Sequence, residues 1–257
     1  MITKAAKEHL IASLDAGVRL DGRKIGEYRP IEVKYGVSKT AEGSAEVTIG
    51  DTKVIAGVKL SVEVPYPDTP DVGTIMVNAE LLPLSSPKFE MGPPGIMAIE
   101  LARVVDRGVR ESKAIDVKKL CITKGEKVWG IGIDICTIND AGNLFDAAGL
   151  AVIAALKDAH FPTYDGVELN YKERTEEKLP LSKIPIPVTV IKVGKHLITD
   201  PMNEELDCAD SRLTVTTIAS GEICSLQKGG DMALTVEEIG NMVDLALKYG
   251  EELRNKL

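Results

Sequence analysis

Residues 144–160, Leu-Phe-Asp-Ala-Ala-Gly-Leu-Ala-Val-Ile-Ala-Ala-Leu-Lys-Asp-Ala-His, place the tightest constraint on how this chain can fold. The run reads as a helix that is apolar on almost every side, and such a helix has to be buried over most of its surface. It follows the turn 139–143, Asn-Asp-Ala-Gly-Asn, and a strand over 127–138 in which Trp129, Ile131, Ile133 and Ile135 share one side. At 257 residues the chain is long enough to supply the surrounding layers, as one large domain or as two smaller lobes.

The remaining segments indicate what those layers are. A short amphipathic helix over 3–15 aligns Ala6, Leu10 and Leu14 and ends at Gly17. A strand over 30–36 precedes a hairpin with arms 44–49 and 53–64 around Gly50-Asp51, both arms rich in Val, Ile and Thr. Pro67, Asp68, Pro70 and Asp71 mark a loop, and 74–81 and 120–123 read as further strands. Beyond the apolar helix, 162–183 carries charges and prolines and is the best candidate for a connection between lobes. Strands over 187–193, 196–200, 213–219 and 223–227 follow, then a helix beginning at Thr235, where Thr-Val-Glu-Glu is a capping box. Each half therefore runs from strands into a long helix, the order of an α+β chain of two related lobes.

Composition removes several function classes. A net charge of −8 is the wrong sign for a protein that coats nucleic acid over its whole surface, so any such binding is confined to a local basic patch. Aromatic residues at 4% argue against binding single strands mainly by base stacking. Cys121, Cys136, Cys208 and Cys224 lack the close spacing of a zinc site and read as reduced core thiols. His9, His160 and His196 are too scattered for a histidine metal site. The first residues lack the apolar stretch of a secretion signal, and no apolar run reaches membrane-spanning length, so a cytoplasmic location without membrane contact is expected.

Three places could carry chemistry. On a helix over 95–112, Arg103, Arg107 and Arg110 fall within roughly 60° of one another, opposite Ala98, Leu101, Ala102, Val104, Val105 and Val109. Guanidinium groups stay charged and fork onto phosphate oxygens, so the stripe could grip a polyphosphate backbone. Glu100, Asp106 and Glu111 stand three or four residues from these arginines and could instead pair with them on a solvated face. The turn ending in Gly142-Asn143 lies at a helix start, where free N–H groups attract phosphate, or is a plain tight turn. Asp200, Glu204, Glu205, Asp207 and Asp210 could bind Mg²⁺ or move protons, or simply form the loop that ends a strand.

Arg19-x-Asp-Gly-Arg23, Gly-Ser-Ala-Glu-Val…Gly-Asp-Thr-Lys-Val, Ile-Glu-Leu-Ala-Arg-Val-Val-Asp-Arg, Asp-Ala-Gly before the apolar helix and Asp200-Pro…Glu-Glu occur in that order over about 20 to 250. As a set they resemble the RNase PH family of phosphorolytic exoribonucleases, and within it the non-catalytic RNase-PH-like subunit of the archaeal exosome. The resemblance implies an RNase PH-like α+β fold: a ribosomal protein S5 domain 2-like N-terminal lobe over 29–165, a smaller α/β lobe over 185–257, and an N-terminal helix and arm over 1–28. It implies a hexameric ring of three heterodimers with a catalytic RNase-PH-like paralogue, a cap of S1/KH-type proteins and single-stranded RNA as substrate; from the residues themselves no cofactor and no metal are expected.

The departures from the family pattern carry the functional expectation. Active relatives hold phosphate with Gly-Ser/Thr-Arg, where this chain has Gly142-Asn143-Leu144, and leucine cannot replace a charged fork. Active relatives also carry two aspartates six positions apart; here Asp200 remains and position 206 is leucine. By the resemblance, Arg103 and Arg107 match residues that contact RNA phosphates near the paralogue's active site, and Arg110 matches less closely. The chain is thus expected to be no enzyme by itself, to structure the paralogue's site and to help hold RNA. The alternatives are a self-sufficient phosphorolytic exoribonuclease and a purely structural ring subunit without RNA contact.

Overall fold

The computed structural model describes residues 4–257, except for the side chains of 172–174. Helix α1 (Lys4–Asp15) is followed by strands β1 (Ile31–Tyr35), β2 (Gly43–Ile49), β3 (Thr52–Glu63) and β4 (Thr74–Glu80). Helix α2 (Ile96–Glu111) carries the arginines, and a 3-10 turn, Val117–Leu120, leads into β5 (Cys121–Thr123) and β6 (Lys127–Asn139). The apolar helix is α3 (Leu144–Asp158). Then come β7 (His160–Tyr164), β8 (Leu169–Lys178), β9 (Ile186–Val193), β10 (His196–Thr199), the short α4 (Asn203–Asp207), β11 (Ser211–Thr217), β12 (Ile223–Gly229) and α5 (Val236–Arg254).

The strands form a mixed first sheet in the order β1-β2-β3-β6-β4, with β5 on β6, and an antiparallel second sheet in the order β10-β9-β11-β12. β4 runs parallel to β6 and the other pairs of the first sheet are antiparallel. Helix α3 packs on β2 and β3 of the first sheet and on β9 of the second. That double burial is the reason its sequence is apolar all round: every residue from Leu144 to Leu156 is buried. Gly149 of α3 abuts Pro187, whereas Gly250 of α5 lies beside Val188. Successive residues of a strand point to opposite faces, so α3 and α5 cover opposite faces of the second sheet.

The contact between α3 and β9 is close enough to exclude a methyl group. A Cβ at Gly149 would lie 2.2 Å from Pro187 Cγ, which forces backbone or ring to move. Gly149→Ala is expected to destabilise the chain by about 1–3 kcal/mol, read from chemical denaturation, in spite of alanine's better helix propensity.

The structure modifies five sequence expectations. The stretch over 162–183 is not a plain connection: β7 and β8 pair there as a hairpin. Residues 203–207 form α4, and 159–160 lie outside α3. Of the cysteines only Cys208 is buried; the other three are half-buried, and all four are free thiols. On α1, Leu10 and Leu14 are buried against Ile191, Val193 and Ile198, but Ala6 is exposed. Thr235 does cap α5: its Oγ1 accepts from Glu238 N at 3.2 Å and Glu238 Oε2 accepts from Thr235 N at 2.9 Å.

Candidate functional site

Helix α2 buries Ala98, Leu101, Val104, Val105 and Val109 against β4, α3 and β12, and this turns its arginines outward. The three arginines have different surroundings. Arg110 Nη2 donates to Asp106 Oδ1 at 2.7 Å and to the Ile75 carbonyl at 2.8 Å. Arg107 is half-buried and its Nη1 donates to Gln227 Oε1 on β12 at 3.1 Å. Arg103 is exposed and forms no hydrogen bond or ion pair among the described residues. Glu100 pairs with Arg212 of β11 and not with its helix neighbours, so the expected pairing within the helix holds only for Asp106 with Arg110.

The second region lies where the segment after α1 meets the end of β10. Asp200 is completely buried in a left-handed backbone conformation (φ 45°), one of the few settings that aspartate tolerates and most residues do not. Its carboxylate accepts from Arg29 N at 2.9 Å, Arg29 Nε at 2.9 Å, Arg29 Nη2 at 2.7 Å, Arg23 Nη1 at 2.8 Å and Asn143 Nδ2 at 2.9 Å. Burial alone would push this carboxyl up, but the hydrogen bonds and charge of Arg29 outweigh it and hold the group below its ordinary value. Beside it, the buried Arg19 forks onto Glu205 and also donates to the carbonyls of Thr199 at 3.0 Å and Asp200 at 2.7 Å.

The acidic residues that cluster in sequence are thereby dispersed in space. Asp200 belongs to Arg29 and Arg23, Glu205 to Arg19, Asp207 to Lys88 at 2.7 Å and Asp210 to Lys7 at 2.5 Å, while Glu204 faces solvent. Among the described residues, no group of three or more His, Cys, Asp and Glu side chains is arranged to hold a metal ion. Leu206 packs against the small core beneath α1.

The loop before α3 is turned inward. Gly142 has φ 94°, and a Cβ there would lie 2.4 Å from the Pro201 carbonyl, so only glycine fits. The Gly142 carbonyl accepts from Thr52 Oγ1 at 2.6 Å and from Arg29 Nη2 at 3.2 Å, and the Ala141 carbonyl accepts from Arg29 Nη1 at 2.9 Å. Asn143 (φ 62°) bridges Asp200 Oδ1 and Asp146 Oδ2 with its Nδ2, each at 2.9 Å. Leu144 is buried in the core. Asp146, also fully buried, accepts from Tyr28 Oη at 2.9 Å, yet burial outweighs its hydrogen bonds and pushes its carboxyl up to about 7. The ionised carboxylate of Asp200 thus lies against Asn143, the cap of α3, where a helix start would otherwise attract an external anion.

Residues 27–162 match the sequence model of the 3′ exoribonuclease family, domain 1, and residues 183–249 match that of its domain 2. The chain belongs to this RNase PH family. It is 46% identical over 258 residues to exosome complex component Rrp42 of Methanopyrus kandleri, spanning 99% of this chain and 96% of that one. To the component of the same name from Thermococcus kodakarensis it is 45% identical over 259 residues, spanning 98% and 93%. A solved structure of the Archaeoglobus fulgidus exosome with RNA bound to the active site contains a chain that matches with TM-score 0.92 and 43% identity, over 98% and 97% of the two chains. An archaeal exosome core matches with TM-score 0.87 and 40% identity, over 98% and 96%. The α+β RNase PH-like architecture expected from the sequence is the one observed. No helix among the described residues is long and apolar enough to cross a membrane.

Arg103, Arg107 and Arg110 lie on α2, and Gly142, Asn143, Leu144 and Asp200 meet at the junction of α3 with the end of β10. The sequence reading did not single out Arg29, Tyr28, Thr52 or Asp146, which hold that junction together. Asp146 left a visible signal, the one carboxylate in the apolar run before its last turn.

Proposed function

We propose that this RNase PH family chain is a non-catalytic component of a 3′-to-5′ RNA-degrading exosome ring. In that role it structures the active site of a catalytic paralogue and holds RNA phosphates with Arg103 and Arg107. The relatives named exosome component and the likeness to exosome core structures, one of them with RNA, support the assembly. The observation that carries the non-catalytic reading is Asp200: its oxygens are taken up by Arg29, Arg23 and Asn143, leaving it unsuited to a metal or to proton transfer. The loop 142–144 is likewise closed by Arg29 and Thr52 and offers no cation to an attacking phosphate. Arg103, exposed and unpartnered among the described residues, favours RNA contact over a purely structural role. The proposed assembly alternates three copies of this chain with three of the paralogue beneath S1/KH-type caps, and the mass of the complex formed with and without the paralogue tests it.

Contacts of this kind read the sugar-phosphate backbone, so little sequence preference and a salt-sensitive affinity are expected. The isolated chain, given RNA and orthophosphate, should release no nucleoside diphosphate. In the assembled ring, Arg103→Glu with Arg107→Glu should slow RNA degradation by roughly ten- to a hundredfold at moderate salt without changing the mass of the ring. Diphosphate release by the isolated chain, or undiminished turnover by the doubly reversed ring, would overturn the proposal.

A further inference from the structure

The geometry points to Gln227 as the residue that positions Arg107 for a backbone phosphate while leaving its charge whole, an inference that rests on the RNA-holding role proposed for α2. Gln227 lies on β12, the edge strand of the second sheet, which packs against α2. Its Oε1 accepts from Arg107 Nη1 at 3.1 Å and its Nε2 donates to Glu100 Oε1 at 3.3 Å. Glu100 is in turn ion-paired with Arg212 of β11, whose guanidinium carbon stands 4.2 Å from the centre of the Phe145 ring. Gly229 leaves room for that guanidinium, since a Cβ there would lie 2.7 Å from Arg212 Nη2.

Two consequences follow from the chemistry of these groups. An amide oxygen orients a guanidinium without cancelling its charge, so Arg107 is held by one N–H while others remain for a phosphate. Glu100 stands three residues before Arg103 and seven before Arg107, near enough to compete with phosphate for either; its pairing with Arg212 removes that competitor. Arg110 provides the contrast on the same helix, because Asp106 accepts from both its Nε and its Nη2 and offsets its charge. The second sheet therefore sets which arginines of α2 stay free to bind an anion: Arg103 and Arg107, with Arg110 the weakest of the three.

The test uses the ring assembled with its catalytic paralogue and a labelled single-stranded RNA, with affinity measured across a series of salt concentrations. Gln227→Glu places a carboxylate against Arg107. It should weaken binding by roughly three- to tenfold and reduce the salt slope by about 0.7, the loss of one phosphate contact to a single strand. Arg107→Gln should do the same, and the double variant no more than either, because both remove one interaction. Gln227→Leu keeps the charge but frees the fork, so affinity should fall while the slope is retained, a split that a merely structural role would not produce. Wild-type affinity and slope in Gln227→Glu, beside an Arg107→Gln that loses both, overturn the positioning role alone. Wild-type behaviour in Arg107→Gln overturns the RNA-holding reading and this inference with it. Where Gln227→Glu loosens the ring, Gln227→Leu decides, and wild-type affinity in that variant counts against the role.

Discussion

Asp200→Ala should destabilise the folded chain by about 3–5 kcal/mol, because it strips a buried partner from Arg29 and Arg23 and leaves their charges without compensation. For a chain of this size that is a fall in Tm on the order of 10 °C. The expectation is opposite to that for a catalytic carboxylate, whose removal usually spares or even raises stability because active-site groups are held under strain. The pH dependence has a definite sign. The folded-state pKa of Asp200 lies below its ordinary 3.8, so its stabilisation is fully present at neutral pH and is lost as pH falls through and below the usual carboxylate range. Wild type and Asp200→Ala should therefore differ most at neutral pH and converge in acid. Thermal melts at pH 7 and pH 3 check this, and equal Tm values at pH 7 would mean that Asp200 does not anchor the segment after α1.

What could be read in the chain, and what could not, follows from the range of the interactions involved. The apolar run of α3 announced a helix between layers, because burial on all sides leaves its mark on every residue of the segment. The capping box of α5 is a pattern of four consecutive residues. The arginine stripe of α2 is written in the spacing of one helix, although which arginines stay free depends also on Gln227 and Arg212 from distant strands. The β7–β8 hairpin escaped because neither arm presents the alternation of a strand with one buried face, so its charges and prolines read as a connection. The role of Asp200 escaped for a different reason: Arg29 stands 171 residues away, and no local pattern couples the two. Resemblance located Asp200 in sequence, while only the fold shows the carboxylate turned into an anchor for the N-terminal arm.

Asp146 carries the opposite pH signature from Asp200, although Asn143 Nδ2 touches both. With its pKa raised from 3.8 to about 7, the folded chain keeps a proton between those values that the unfolded chain has released. Stability must then fall as pH rises across that window and level off above it. A rise of that size corresponds to a few kcal/mol, on the order of 4 kcal/mol at most. The groups facing Asp146 do not titrate in this interval. Tyr28 is held protonated by burial and by the neighbouring carboxylates, Asp200 is held ionised by Arg29, and Asn143 is neutral throughout. Asp146→Asn keeps the shape and removes the ionisation, so its advantage over wild type should be small near pH 4, grow through pH 6 and be largest at pH 8. Asp146 is completely buried, and burial costs a carboxylate far more than a neutral acid. Denaturant midpoints of the two proteins at pH 5 and pH 8 provide the measurement. Parallel pH profiles would show that Asp146 is ionised at neutral pH, and the junction would then hold two buried carboxylates against the charge of Arg29 and Arg23.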